Sequence, residues 1–368
     1  MVAHQLPVLP GILTSAQLRR TANATVRTQL PSGAIPWFPG GHVDPWDHVQ
    51  AAMGLSVTGR HAEAALAYEW LRLQQRPDGS WPAKFVGNRA VEHHTDANFC
   101  AYLATGVWHH WTITGADRFR ARMWPTVRRA IDTVLGLQSK QGAIAWARDV
   151  DGAPAEEYLV TGNASIHLSL RCAAALAEAQ GVDPGAWLAA AARLRHALDE
   201  HPELYTPKTR YSMDWYYLVL GGSLPAEVAA ARIDARWDDF VVDGLGIRCV
   251  DDHPWVTGAE TCELVLALTV VDRPDAARTL LADMQHLRDE ETGHYWTGLV
   301  FSDGKRWPVE VSTWTAATVL LAADAITATT RASGLFRGDG LPSGTIEGAC
   351  ACRASRACRR IWSIWSTG

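Results

Sequence analysis

The chain has 368 residues, of which 48% are hydrophobic and 20% charged, and its formal net charge is −5. This balance is ordinary for a globular protein, and without a basic stripe it argues against nucleic-acid binding. Apolar runs such as Val319–Ala323 are too short to span a bilayer. No charged segment followed by an apolar stretch opens the chain, so we expect no signal peptide and a cytoplasmic location.

Helices are the dominant predicted element, because apolar residues recur at helical spacing along most of the chain. The loops between them are alternately short and long. A short loop makes an antiparallel hairpin of its two helices, so the long loops should all emerge at one end. Outer helices are predicted over Ser15–Gln29, Ala62–Gln75, Arg118–Gln138, Pro184–Glu200, Pro225–Phe240 and Pro274–Arg288. Inner helices are predicted over Pro45–Val57, Asp96–Thr114, Ala164–Gln180, Met213–Leu220, Gly258–Val270 and Val311–Thr329.

The inner segments are apolar over more of their circumference than the outer ones, as expected for helices buried on all sides. Six parallel inner helices within an outer ring of six form an (α/α)6 toroid, an all-α architecture. We expect one such domain over residues 1–337. Residues 338–368 lack amphipathic periodicity and carry three Cys and two Trp, so we expect an atypical, disordered tail there.

The cysteines predict neither disulfides nor a metal site. Cys100, Cys172, Cys249 and Cys262 lie in or beside predicted core helices, so we expect them to be buried and reduced. Only Cys350-Ala351-Cys352 approaches the paired spacing of metal ligands. We therefore expect no metal and no cofactor.

A short element recurs where outer helices end, with a Gln, a Gly four residues later and then an aromatic residue. Recurrence of one such unit is typical of a repeat-built fold. We interpret Trp81 as a plug between hairpins and place Trp37 and Trp146 nearer the mouth formed by the long loops. The copies are Gln29–Trp37, Gln75–Trp81, Gln138–Trp146 and a degenerate Asp289–Trp296.

Five of the six predicted inner helices begin with a carboxylate close to an aromatic residue. A single such carboxylate is more often a helix cap than a catalyst. Capping needs no aromatic partner, whereas sugar rings pack on aromatic planes while their hydroxyls bind carboxylates, so we predict a polar-ligand site. The catalytic candidates are Asp47, Asp96, Asp214, Glu260 and Glu310. The substrate-binding candidates are Trp37, Trp46, His93, His94, Trp146, Trp215, Tyr216, Trp255, Glu263, Tyr295, Trp296 and Trp314.

Glycoside hydrolysis needs two carboxyl groups, one kept protonated in a poorly solvated setting and one ionised. Three aromatic residues follow Asp214, so desolvation should raise its pKa and suit it to act as the acid. Glu260 and Glu310 are candidates for the base, and the choice of the pair stays open. His93 and His94 would be the acid–base groups of an epimerase or isomerase, or else hydrogen-bond within their loop.

The Gln-x-x-x-Gly-x-Trp element at Gln75, Gly79 and Trp81 resembles the repeat of the squalene-cyclase and prenyltransferase toroids. The six hairpins, with acidic residues where the inner helices begin, resemble the six-hairpin glycosidase superfamily. Residues 12–330 also resemble an actinobacterial group often labelled "prenyltransferase" for this repeat. The glycosidase resemblance implies a cofactor-independent, carbohydrate-active enzyme that is glycoside hydrolase-like, inverts configuration and takes a small-molecule or oligosaccharide substrate.

Two alternatives remain from the sequence. One is a terpenoid or prenyl-substrate enzyme of the cyclase toroid class, although the chain carries no Asp-x-Asp-Asp motif for protonating a polyprene. The other is a non-catalytic glycan-binding relative that keeps the mouth without a working acid–base pair. The oligomeric state cannot be predicted from these patterns.

Overall fold

Helices form most of the computed structural model, which describes residues 4–222 and 224–344. No helix in these two ranges is both long enough and apolar enough to cross a membrane. The α-helices of the described residues are α1 (Ser15–Thr28), α2 (Pro45–Val57), α3 (His61–Gln74), α4 (Ala97–Thr114), α5 (Asp117–Leu135), α6 (Val160–Ala179), α7 (Gly185–Glu200), α8 (Ser212–Tyr216), α9 (Ala226–Asp234), α10 (Trp237–Phe240), α11 (Gly258–Val270), α12 (Pro274–Asp283) and α13 (Thr313–Thr327).

The most buried helices contact one another in a closed order. Helix α2 packs on α4, α4 on α6, α11 on α13, and α13 returns to α2. Between α6 and α11, both α8 and the 3-10 turn Tyr217–Val219 contact the two neighbours. Helices α3, α5, α7, α9 and α12 each pack against the buried helix that precedes them in the chain. The core therefore lies between these two sets of helices.

Three predicted helices each divide into two elements, and one of them is Pro274–Arg288, observed as α12 followed by the 3-10 turn Met284–Leu287. The helix predicted over Met213–Leu220 is the five-residue α8 followed by a 3-10 turn, since apolar spacing does not separate the two helix types at this length. The outer helix predicted over Pro225–Phe240 divides into α9 and α10 at Arg236, which has a backbone φ of −133°. The side chain of Arg236 forms ion pairs with Asp239 and Asp251 and so fixes this break.

The all-α prediction missed short antiparallel strands in or beside the long loops. The strands are β1 (His42–Val43), β2 (Lys84–Val86), β3 (Arg89–Glu92), β4 (Thr95–Asp96), β5 (Ala147–Arg148), β6 (Val241–Val242), β7 (Gly246–Arg248), β8 (Trp255–Thr257), β9 (Gly298–Val300) and β10 (Lys305–Arg306). Their sheets have the orders β1-β2-β3, β4-β5 and β10-β9-β8-β7-β6. Pairs such as β1–β2 and β4–β5 join loops that are distant in sequence, and the strands of local hairpins such as β2–β3 are too short for an alternating pattern to reveal them.

The recurring Gln–Gly turn ties one outer helix to the next. The Gln75 amide donates hydrogen bonds to the carbonyl oxygens of Gly79 and of Thr126 in α5, both at 2.9 Å. The glycine lies so close to α5 that a Cβ on Gly79 would stand 2.3 Å from the carbonyl oxygen of Arg129. The same bonds join Gln29 to Gly33 and Glu63, and Gln138 to Gly142 and Ala190.

Residues 345–368, most of the predicted tail, lie outside the described residues. The described beginning of that segment contacts the helical body. The Arg171 side chain donates to the carbonyl oxygens of Pro342, at 2.7 Å, and of Gly221. The division into one domain and a tail stays a prediction.

Candidate active site

A cavity of about 400 Å³ opens where α2 and α4 begin, between the loops that carry β1 to β5. Its wall contains four carboxylates, Asp44, Asp47, Glu92 and Asp96. The aromatic residues of the wall are Trp37, Trp46, Phe99, Trp146 and Trp314. A hollow of about 510 Å³ at His4 and Thr329 has no carboxylate in its lining. Only the first of these two cavities therefore has the groups for acid–base chemistry on a sugar.

Asp47 lies in the first turn of α2, beside the residue that caps this helix. Oδ1 of Asp44 accepts a hydrogen bond of 2.9 Å from the Asp47 backbone N–H. Burial raises the pKa of the Asp47 carboxyl well above its usual value, and Asp44, Glu263 and Glu260 raise it further. Crowded carboxyl groups cannot all ionise, so Asp47 is suited to hold a proton.

Asp96 caps α4 and lies on the same cavity. Its Oδ1 accepts a hydrogen bond of 3.0 Å from the Phe99 backbone N–H. Pairing of Asp96 with Ala147 in the β4-β5 ladder fixes its backbone. Burial raises the pKa of Asp96 to about 7. The residue is thus both a helix cap and a second carboxyl group able to exchange a proton near neutral pH.

Two further carboxylates, Glu260 and Glu263, are three residues apart in α11 and therefore share one face of that helix. Glu263 is 1% exposed and accepts hydrogen bonds from the hydroxyls of Tyr216, at 2.7 Å, and Tyr217, at 3.0 Å. Burial raises its pKa to about 7. These bonds hold Glu263 in place, so it acts as a fixed neighbour of Asp47.

Glu260 is 6% exposed, and burial raises its pKa. The nearby Thr257 and Cys249 side chains lower the pKa of Glu260 and so partly oppose that rise. Glu260 also raises the pKa of Asp47, so the two carboxyl groups interact electrostatically. Both have raised pKa values, mainly because of burial.

The aromatic wall is held by specific polar contacts. The Trp37 indole N–H donates to Glu310 at 2.9 Å, and its ring lies 5.5 Å from that of Trp314. The Trp314 indole N–H donates to Oε1 of Gln50 at 3.1 Å. Glu310 therefore has a direct role in orienting a cavity-wall ring. Two indole planes fixed at an angle in this way offer a rigid apolar surface to a ligand.

Seven of the sequence candidates line this cavity together. They come from three helix starts and three long loops. The seven residues are Trp37, Trp46, Asp47, His94, Asp96, Trp146 and Trp314.

Trp81, which the sequence analysis interprets as a plug between hairpins, is 1% exposed. Its indole N–H donates to the carbonyl oxygen of Leu71.

The structure places three aromatic candidates in the core instead. Trp215 is 2% exposed and stacks on Phe240 with 5.2 Å between ring centroids. Tyr216 is fully buried under Glu263, and Tyr295 is fully buried with its hydroxyl bonded to Gln285. An aromatic residue at a helix start can face the core as readily as the mouth of the cavity. Packing against neighbouring side chains places these three in the core.

Seven other candidates also lie outside the cavity lining, and three of them are the carboxylates Glu260, Glu263 and Glu310. Asp214 accepts hydrogen bonds from the Thr161 hydroxyl at 2.9 Å and the Lys208 backbone N–H at 3.2 Å. Burial raises its pKa, as expected from the aromatic residues that follow it. The others are His93, which is exposed, Trp255 in β8, and Trp296, which packs partly buried against the core.

Several lining residues were missed from the sequence. Lys84 and Glu92 form an ion pair across the β2-β3 hairpin, and no helical pattern indicates that pairing. His42 stacks on Trp37, with 5.8 Å between ring centroids, because β1 pairs with β2. Asp44 had a readable signal, since it precedes Pro45 at a helix start and stands three residues before Asp47.

Asn at position 96 should remove a pH dependence of stability. The pKa of Asp96 is about 7 in the folded protein, against 3.8 for the free side chain, so the parent loses stability as the pH rises from about 4 to about 7. Asn caps helices as well as Asp and carries no charge. Urea unfolding should therefore find Asp96→Asn equal to the parent near pH 4 and about 4 kcal/mol more stable above pH 7.

Glu69→Gln provides the opposite control. Arg72 and Arg122 lower the pKa of Glu69 to about 2. The charged Glu69 therefore stabilises the folded protein above the unfolded pKa, and this stabilisation is lost as the pH falls from the unfolded pKa to the folded one. The difference in unfolding free energy between Glu69→Gln and the parent should stay constant between pH 5 and 8. A constant difference for Asp96→Asn over the same range would contradict the buried, protonated Asp96.

Comparison with curated proteins identifies the family of this chain. It is 56% identical over 352 residues to the MMP endo-(1,4)-3-O-methyl-alpha-D-mannosidase of Mycolicibacterium hassiacum, with 95% of this chain and 97% of the relative covered. The chain belongs to the family of this endo-mannosidase. It is a carbohydrate-active, glycoside hydrolase-like enzyme, and the glycosidase resemblance seen in the sequence is confirmed. No protein-family profile matches the chain.

Solved structures show the same fold at low sequence identity. A wild-type glycosidase superposes with a TM-score of 0.66 and 18% identity, over 86% of this chain and 98% of its own. An alpha-amylase from Clostridium perfringens matches with a TM-score of 0.63 and 8% identity, over 86% and 99%. A D-mannose isomerase matches with a TM-score of 0.61 and 10% identity, over 84% and 96%. At these identities the likeness concerns the fold alone.

Proposed function

We propose that this enzyme cleaves the 1,4 linkages within a chain of 3-O-methylated α-D-mannose units. The observation that carries the proposal is the identity of 56% to the mannosidase, spread over nearly the full length of both proteins. We further propose that the scaffold is an (α/α)6 toroid, supported by the closed order of contacts from α2 through α13 and back. The cavity would then lie where its inner helices begin.

Asp47 is the general acid of the proposed reaction. It lines the cavity, and three neighbouring carboxylates together with burial keep its proton in place. Asp47 gives this proton to the glycosidic oxygen as the bond from that oxygen to the anomeric carbon breaks. The leaving sugar departs as a neutral alcohol, and the other sugar develops oxocarbenium character.

Glu260 is the general base. Its carboxyl group is 6% exposed, and its electrostatic effect raises the pKa of Asp47. In an inverting reaction it takes a proton from a water that attacks the anomeric carbon on the face opposite the leaving group. Inverting enzymes hold the two carboxyl groups about 6.5–9.5 Å apart to leave room for this water. Asp96 shares the cavity and orients the substrate.

The apolar wall fits a methylated sugar. A methyl ether replaces a hydroxyl with an apolar group, so a 3-O-methylmannose offers more surface for aromatic contact than mannose does. Trp37, Trp46, Trp146 and Trp314 provide such contact, while Asp44 and Asp96 accept bonds from the remaining hydroxyls. Rings and carboxylates on one wall therefore suit a chain of partly methylated sugars.

Proton NMR during hydrolysis tests both the substrate and the stereochemistry. The enzyme should convert a 1,4-linked 3-O-methyl-α-mannan into shorter fragments, and the new reducing ends should appear first as the β-anomer. An α-1,4-glucan is the control and should remain uncut. First appearance of the α-anomer would contradict inversion by this pair. Binding of the methylated chain without cleavage would instead favour the non-catalytic glycan-binding alternative.

A further inference from the structure

One large aromatic side chain remains in solvent next to the cavity wall. Trp307 is 54% exposed, and it is the one exposed tryptophan of residues 4–222 and 224–344. It follows β10 directly, in the long loop that leads to α13. A single exposed hydrophobic residue is common on a folded protein, so the contacts that hold this ring carry the argument.

Contacts with Trp255 and with the backbone of Gly298 hold Trp307 in place. The Trp255 ring meets it edge to face, with 4.7 Å between centroids, and the Trp255 indole N–H donates to the Trp307 carbonyl oxygen at 2.7 Å. The Trp307 backbone N–H donates to the Gly298 carbonyl oxygen at 3.2 Å. A Cβ on Gly298 would stand 2.4 Å from the Trp255 indole nitrogen, so only glycine lets Trp255 lie there.

The backbone contacts of Trp307 also connect it to the cavity. Glu310, which accepts the Trp37 indole N–H at the cavity wall, follows Trp307 by three residues. A chain of that length spans at most about 10 Å. The backbone N–H of Thr297, beside Gly298, donates to the carbonyl oxygen of Glu310, so β9 holds both ends of this segment. The Trp307 backbone therefore lies within about 10 Å of the backbone of Glu310, whose side chain binds the Trp37 indole.

We propose that Trp307 forms an outer sugar-binding subsite, which receives a unit of the glycan chain after it leaves the cavity past Trp37. The subsite rests on the proposed function, because an enzyme that cuts within a chain must accommodate sugars beyond its cavity. The methylated face of such a sugar packs on the exposed indole plane, and Trp255 keeps that plane from rotating. This gives Trp255, a candidate from the sequence, a supporting role in place of a direct one.

The test compares a long methylated mannan with the shortest oligosaccharide that the parent cleaves. Trp307→Ala should lower the ratio of kcat/KM between the long and the short substrate about tenfold, since binding energy from remote units is lost only with the long chain. Trp307→Phe keeps a ring and should recover part of the ratio. Val309→Ala is the matched control, because Val309 is 81% exposed and has no planar face, and its ratio should equal the parent's.

Direct binding separates this subsite from the proposed chemistry. In an Asp47→Asn background, calorimetry should show about tenfold weaker binding of the long chain when Trp307 is also changed to Ala. An equal loss on both substrates, an unchanged ratio, or a change of oligomeric state that accounts for the loss would overturn the subsite. Absence of cleavage by the parent would refute the proposed function, while the binding comparison would still decide for or against the subsite.

Discussion

Asn at position 47 should lower kcat for glycan cleavage by about 10²–10⁴-fold, the usual contribution of a general acid. The amide has nearly the shape of the carboxyl group but cannot give a proton to the glycosidic oxygen. Binding of the substrate should change little, because Trp37, Trp46 and the other wall residues stay in place. Steady-state kinetics on the methylated mannan, with kcat and KM separated, measure this effect.

Stability provides an internal check on that loss. Asp47 is crowded by Asp44, Glu260 and Glu263, so removing its capacity for charge should not reduce the free energy of unfolding. Unchanged or higher stability together with lost turnover would assign the defect to chemistry. Hydrolysis at the parent's rate by Asp47→Asn would remove this residue from the mechanism.

Glu260→Gln should cause a loss of similar size, since the amide cannot take a proton from water. Asp214→Asn is the matched control, because Asp214 is 8% exposed against 6% for Glu260 and its partners are Thr161 and the Lys208 backbone. We expect its kcat to stay within a few-fold of the parent's. A loss at Asp214 as large as at Asp47 would instead favour the acid predicted from the sequence.

Ala at Gly79 should lower the free energy of unfolding by about 3–5 kcal/mol. The backbone φ of Gly79 is +92°, a region that side-chain-bearing residues rarely adopt. A Cβ there would also stand 2.3 Å from the carbonyl oxygen of Arg129 and 2.7 Å from the Thr133 hydroxyl. The backbone of α5 would have to move, which breaks the link that Gln75 makes between α3 and α5.

Gly152→Ala isolates the steric part of this effect. Gly152 has a φ of +87°, close to that of Gly79, but nothing lies within 4 Å of its added Cβ. Its substitution should therefore cost only about 1–2 kcal/mol of backbone strain. Urea unfolding of both variants at one pH measures the difference. Equal losses would show that backbone conformation, and not contact with the next outer helix, makes glycine necessary in the repeat.

Helix positions were largely readable in the sequence because they depend on local spacing. The predicted bounds of α2 and α11 agree with the structure, and most other helices differ by a few residues at either end. A buried helix repeats its apolar pattern every few residues, so a short window contains the whole signal. Strands β1 and β2 are only two and three residues long and lie about forty residues apart, so no window contains theirs.

Local sequence pattern and contacts between distant elements also contribute differently to the site residues. Asp47 and Asp96 could be named as candidates, because each stands at the start of a helix that the periodicity predicts, although Asp214 and Glu260 also start buried helices and lie outside the lining. The sequence could not show which aromatic residues lie beside Asp47 and Asp96. Trp46 lines the cavity, whereas Trp215 lies in the core, although each stands at the start of a buried helix. The partners of a ring depend on side chains from other elements.

The sequence by itself determined the helices and placed Asp47 and Asp96 at the starts of two of them, because periodicity acts locally. Only the tertiary structure decided the electrostatics, since Glu260 and Glu263 of α11 raise the pKa of Asp47 in α2 only in the folded chain. It also set Trp307 on Trp255 through pairing of β8 with β9. Proton affinity and ring exposure depend on neighbours that are distant in sequence, and folding alone brings these together.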